Sequence, residues 1–117
     1  MTVLPVAHAE ILDFHWGQLT WFANSELGNC AEMTIGRCIL APGCANPVHR
    51  HPNCTEILVV QTGRIMHLIE DGTEVEMNPG DTISIPANLP HRARNIGDTP
   101  AVLTIVFSSG SRETVGE

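Results

Sequence analysis

The sequence contains no tyrosine, which excludes any mechanism that draws a phenolic acid or a tyrosine-derived crosslink from this chain. Positive charge is scarce as well. Six Lys and Arg stand against thirteen Asp and Glu, a net charge of -7, so a phosphate backbone or an anionic membrane surface is repelled at long range and nucleic acid is not an expected partner. Apolar runs stop at four residues, as in ILVV over 57–60, far short of a membrane span. The opening MTVLPVAHAEILDF lacks the basic start and continuous apolar stretch of a signal peptide; a soluble, cytoplasmic protein is expected. There is no CxxC pair. Cys30, Cys38, Cys44 and Cys54 lie 8, 6 and 10 positions apart, which suits neither a zinc ribbon nor a thioredoxin-like redox site. An even count permits a disulfide framework, but reduced, partly buried thiols are the expectation for a reducing compartment.

What is present is enough for one domain. The 117 residues are 43% hydrophobic and 16% charged, with eight prolines and ten glycines dispersed along the chain, and a single site is expected over 1–117. From residue 32 onward, short β-branched and apolar runs alternate with turn residues: EMTIGRCILA, NPVHRH, TEILVVQ, GRIMHLIE, TEVEM, DTISIP, HRARNI and AVLTIVFS, separated by PG, PN, TG, DG, NPGD, NLP and GDTP. That predicts eight strands, mostly antiparallel, with EDGTE the clearest hairpin. Eight to ten such strands close into a small all-β double-sheet barrel, which removes exposed edges. Residues 1–31, with both tryptophans and two of the three phenylalanines, are expected to supply an edge strand packed on the barrel or on a second subunit.

The stretch HRHPNCTE, residues 49–56, carries three strong ligands. Side chains two apart on a strand share a face, so His49 and His51 can enter the barrel while Arg50 faces out. After the Pro52–Asn53 interruption, Glu56, Leu58 and Val60 share a face, and the reversal can bring Glu56 beside the two imidazoles. His91, 35 positions beyond Glu56, is a fourth candidate. His8, His15 and His67 are read as half-exposed or hydrogen-bonded histidines outside the site.

Gly43, His49, His51, Glu56 and Gly63 follow the spacing G-x5-H-x-H-x4-E-x6-G, and Gly80, Pro86, His91 and Asn95 follow G-x5-P-x-G-x2-H-x3-N with Asn88 in place of the middle glycine. These resemble the two motifs of the cupin family, spanning 43–95. Asparagine tolerates left-handed backbone, so the turn at 88 should survive. The resemblance implies a jelly-roll barrel holding one divalent metal on His49, His51, Glu56 and His91. Imidazole and carboxylate donors suit Fe, Mn, Ni, Co or Zn as divalent ions, and four protein ligands leave two octahedral positions for substrate or dioxygen.

Around that site, Met33, Ile35, Arg37 and Ile39 share one face of EMTIGRCILA, so Arg37 either meets a carboxylate or enolate substrate inside or points outward. Arg92 and Arg94 are expected to face out. Cys54 shares parity with Glu56, yet a buried inert thiol is the expectation. Proton transfer would fall to Glu56, to His67 if it faces inward, or to a metal-bound hydroxide. Two functions follow from the resemblance: a metal-dependent enzyme on a small organic molecule, with dioxygenase chemistry at Fe(II) or isomerase, lyase or cyclase chemistry at another divalent ion, and a metal-dependent binding or sensing module without turnover. A storage role is weaker, since storage cupins are larger and duplicated. The apolar strip of residues 11–22 predicts a homodimer.

Overall fold

A computed structural model describes residues 1–116. Eleven strands occur among them: β1 Glu10–Phe14, β2 Gly17–Ala23, β3 Thr34–Leu40, β4 His49–Arg50, β5 Glu56–Thr62, β6 Ile65–Leu68, β7 Glu74–Met77, β8 Thr82–Ile85, β9 Ala93–Asn95, β10 Ala101–Phe107 and β11 Val115–Gly116. They pair antiparallel throughout. A six-stranded sheet runs β1-β2-β3-β10-β5-β8, a three-stranded sheet runs β7-β6-β9, and β11 pairs with β4 alone. This is the jelly-roll barrel anticipated above, in which edges are few and inner faces meet.

The two-residue period decides what is inside. In β3 and β10 every second residue is buried, and Glu56, Leu58 and Val60 of β5 are buried on the inner face. Leu40, Ile65 and Leu103 are fully enclosed, with Leu58, Val60, Ile105 and Phe107 around them; each such side chain contributes about 1.5–3 kcal/mol relative to exposure. Gly36 of β3 carries no Cβ because Trp21 lies against it: a Cβ there would stand 2.4 Å from the indole.

Several expected strands are shorter than their sequence runs. NPVHRH yields only His49–Arg50, because Pro47 and Pro52 cannot donate to a ladder. HRARNI gives β9 from Ala93, with His91 in an isolated bridge to His49. The opening segment forms two strands, β1 at the edge of the large sheet and β2 inside it. β11 has no counterpart among the expected runs. EDGTE is a hairpin connection, with Asp71 at φ 68° and Gly72 at φ 75° between β6 and β7. Asn88 sits at φ 69° as anticipated; its amide donates to the His51 carbonyl at 2.8 Å and its side-chain oxygen accepts from Arg50.

Candidate metal centre

The short strand β4 delivers His49, and His51 follows directly after its end. His49 and His91 exchange backbone hydrogen bonds, His49 N–H to His91 O at 3.0 Å and His91 N–H to His49 O at 2.8 Å, so their side chains leave the bridge on one side with ring centroids 4.4 Å apart. His51, two residues on, brings its ring to 5.0 Å from His49 and 5.3 Å from His91. Glu56, the first residue of β5, points inward, its Oε1 3.0 Å from His91 Nε2 and 3.2 Å from His51 Nε2. One ligand atom from each of the four lies within 4.8 Å of the others.

The other ring nitrogens show why this is a donor set rather than a chance cluster. Nδ1 of His49 faces Pro47 O at 2.7 Å, Nδ1 of His51 faces Glu113 O at 2.9 Å, and Nδ1 of His91 faces Leu89 O at 2.8 Å. A carbonyl only accepts, so each Nδ1 carries the proton and each Nε2 can present its lone pair to the centre. Nε2 of His51 is buried with no aligned hydrogen-bond partner. A largely buried set of three imidazoles and a carboxylate, with one imidazole nitrogen left unpartnered, fits one divalent cation and offers no thiolate for a structural zinc site.

Electrostatics agrees. Burial holds the His49 imidazole down at about 4, so it is neutral and able to ligate at physiological pH. Burial pushes the Glu56 carboxyl up, but His51 and His91 against it outweigh that and bring it to about 2. For His91, burial opposes the charged form, yet the Glu56 carboxylate prevails and the imidazole is raised above its usual value. In the metal-free protein the Glu56 carboxylate thus favours the charged form of His91, and a metal would take that proton's place.

The centre opens into a cavity of about 370 Å³ walled by Trp16, Trp21, Leu58, Leu103, Ile105 and Phe107, with Leu12 and Phe14 at its rim. That volume suits a small organic ligand. The aromatic opening segment therefore supplies cavity wall as well as edge strand.

Arg37 does not reach this cavity. The buried alternate residues of β3 are Thr34, Gly36, Cys38 and Leu40, so Arg37 lies on the opposite face, its guanidinium carbon 5.4 Å from the Phe22 ring centroid; the substrate role open to it in the sequence is withdrawn. His67 reverses the other way. It is fully buried, stacked on His91 at 5.7 Å and 13°, with Nδ1 donating to Leu68 O, and burial lowers its pKa. It backs His91 rather than lining the cavity. Arg94 lies on the outer face of β9 and pairs with Glu74 at 2.8 Å, while Arg92 is half-buried with its Nε enclosed, and neither lines the cavity. The four cysteines are free; Cys54 is buried, and burial raises its thiol pKa, as for Cys38, which lines the cavity and is pushed up to about 12. His8 and His15 are exposed.

Three contributors had no signal in the sequence. The segment after β10 crosses the site so that the Glu113 carbonyl orients His51, Thr114 Oγ1 stands 3.2 Å from the same Nδ1, and Arg112 joins the cavity wall. Arg112 stacks over Trp21 at 4.1 Å and Phe107 at 5.2 Å.

A barrel of this topology with this ligand set defines a small metal-binding β protein. The Cupin domain family matches residues 36–107, and the chain belongs to that family. It is 33% identical over 94 residues to oxalate oxidase GF-3.8 of Triticum aestivum, covering 74% of this chain and 42% of that protein. It is 37% identical over 87 residues to auxin-binding protein ABP19b of Prunus persica, covering 71% and 42%. Among solved structures, a Lactobacillus farciminis oxalate decarboxylase superposes with a TM-score of 0.84 at 19% identity, covering 94% of this chain and 34% of that one. A Bacillus subtilis oxalate decarboxylase structure concerned with its Mn(II) centres gives 0.80 at 23%, covering 95% and 30%. The chain spans about two fifths of the length of the curated relatives it matches.

Proposed function

We propose that this chain is a single-metal enzyme in which His49, His51, Glu56 and His91 hold one divalent cation and a small organic molecule reacts in the adjoining cavity. The observation that carries this reading is the convergence of three Nε2 lone pairs, each fixed by a backbone carbonyl on the opposite nitrogen, beside one carboxylate at the floor of an apolar cavity. Four protein donors leave coordination positions free, where a bound metal supplies Lewis acidity and, if redox-active, oxygen activation. The protein's own side chains exclude water and hold the organic part: Trp16, Trp21, Leu103 and Phe107 form the wall. Manganese is the first metal to try, given the Mn(II) centres of the Bacillus subtilis neighbour, with Fe, Ni, Co and Zn as alternatives. Oxidation or decarboxylation of a small acid, the chemistry in the names of the relatives, leads the dioxygenase, isomerase, lyase and cyclase options.

The test is metal analysis of purified protein, then anaerobic loading with Mn(II) or Fe(II) and assay of a panel of small acids for oxygen uptake and carbon dioxide release. About one metal per chain with turnover of a panel member is expected. Metal content well below one per chain after reconstitution would sink the reading. Saturable binding without product would favour a binding module, the reading to which the auxin-binding relative points.

The exposed apolar side chains Ile11, Leu12 and Phe14 on the outermost strand β1 support a homodimer paired through that edge, and four unpaired thiols support a reducing, cytoplasmic setting. Light scattering should give twice the 12.7 kDa chain mass; a monomer at micromolar concentration rules the dimer out.

A further inference from the structure

The cavity carries a single guanidinium, and its surroundings say what it is for. Of the six arginines, Arg112 alone lines the cavity. Its guanidinium carbon sits 4.1 Å from the Trp21 ring centroid and 5.2 Å from that of Phe107, a cation–π contact that positions the cation without consuming its N–H donors. Its one hydrogen bond to a described residue goes to Thr114 Oγ1, which stands against Nδ1 of the ligand His51. In a chain with thirteen carboxylates, none among the described residues lies within ion-pair distance of Arg112, although Arg64 and Arg94 are both paired at the surface. Burial pushes the guanidinium pKa down, against longer-range attraction from Glu56, Cys54 and Glu10. A partly desolvated cation on an otherwise apolar wall is a half-built ion pair, and its missing partner is an anion from solution.

We propose that Arg112 is the anion anchor of this cavity and that its ligand is a small monocarboxylate with an apolar body, the carboxylate on the guanidinium and the apolar part along Trp21, Phe107 and Leu103 toward the four metal ligands. A dianion as small as oxalate suits this wall poorly, because it offers no apolar surface to the indole and leucine side chains. This rests on the enzyme reading above for the ligand's fate, but not for its capture.

The two tryptophans report the test directly, Trp21 beneath Arg112 and Trp16 on the same wall. Tryptophan fluorescence is titrated with phenylacetate, with its neutral near-isostere phenylacetamide and with oxalate, on protein with and without Mn(II). Phenylacetate should bind at least tenfold tighter than phenylacetamide, about 1.4 kcal/mol, and tighter than oxalate; Arg112→Gln should reduce phenylacetate to the level of the amide, with Arg112→Lys between. Equal affinity for acid and amide in the unaltered protein, preference for oxalate, or an Arg112→Gln protein that keeps full affinity for the acid overturns the proposal. If Arg112→Gln does not fold, the acid-to-amide ratio on the unaltered protein decides alone. If the protein takes no metal, the enzyme reading fails while the metal-free titrations still decide the anchor.

Discussion

Ending the chain after Gly110 removes the strap that orients one metal ligand, and the consequence can be worked from the contacts. His51 loses both partners of its Nδ1, Glu113 O at 2.9 Å and Thr114 Oγ1 at 3.2 Å. His49 and His91 keep theirs, Pro47 O and Leu89 O. Losing one such outer partner costs about 10–100-fold in metal affinity, or about 1.4–2.7 kcal/mol. Metal that binds only the folded state raises stability by RT ln(1 + c/Kd) at free metal concentration c, so with metal well above Kd the gain shrinks by the same amount. A domain of this size shifts by about 4 °C per kcal/mol, so the metal-induced rise in Tm should fall by about 5–11 °C. Thermal melts by circular dichroism, with and without 1 mM Mn(II), measure it. The metal-free melt should fall too, since the cut also takes β11 from β4 and Arg112 from Trp21 and Phe107, so the metal-induced rise is read as a difference within each chain. Asn53→Ala gives an intermediate case: its side chain clamps the strap by donating to Ser111 O and accepting from Glu113 N–H, each at 2.9 Å. If the truncated chain gains as many degrees from metal as the full one, the Glu113 carbonyl does not orient His51 and the reasoning fails.

Glu56→Gln removes the only anionic ligand among the four, and the metal-dependent rise in Tm should largely vanish; a rise equal to that of the unaltered protein would mean the metal binds elsewhere. Metal affinity should climb with pH up to the raised His91 pKa, because His91 must shed a proton to ligate, and level off above it; His49, at about 4, contributes nothing at neutral pH. The sign is opposite for the metal-free fold, whose His91–Glu56 stabilisation is present below the ordinary histidine value and lost as pH rises through the folded one. Competition with a chelating dye at pH 6, 7 and 8 checks the affinity, and a flat profile contradicts the proton on His91. Gly36→Ala forces a Cβ to 2.4 Å from the Trp21 ring and 2.6 Å from Thr20 O, an overpacking that should cost about 1–3 kcal/mol and lower Tm by about 4–12 °C; an unchanged melt would show that Trp21 moves freely.

How far the sequence reached depended on whether a residue's place follows from local geometry. His49, His51 and Glu56 were legible as a local cluster, two histidines two apart on a strand and a carboxylate after a proline turn, whereas His91 joined them only through the resemblance to the cupin motifs. Strand positions were legible from alternation, but their ends were not, since Pro47 and Pro52 trim β4 to two residues while leaving the apolar pattern intact. The left-handed turn at Asn88 was readable because few residue types accept it.

Periodicity by itself thus determined which side chains travel together, and the motif spacing determined which four could share one cation. Which face of a strand turns inward was decided only by the packed barrel. In β3 both faces carry apolar residues, Ile35 and Ile39 on one, Cys38 and Leu40 on the other, and the close seat of Trp21 on Gly36 sends Arg37 outward. In β6 the same ambiguity hid the burial of His67 behind His91. Arg112 and the Glu113 carbonyl lie in a segment with no periodicity at all; they reach the site because ring faces and backbone hydrogen bonds from distant strands hold that segment there, and contacts between residues some sixty positions apart leave no trace in local pattern.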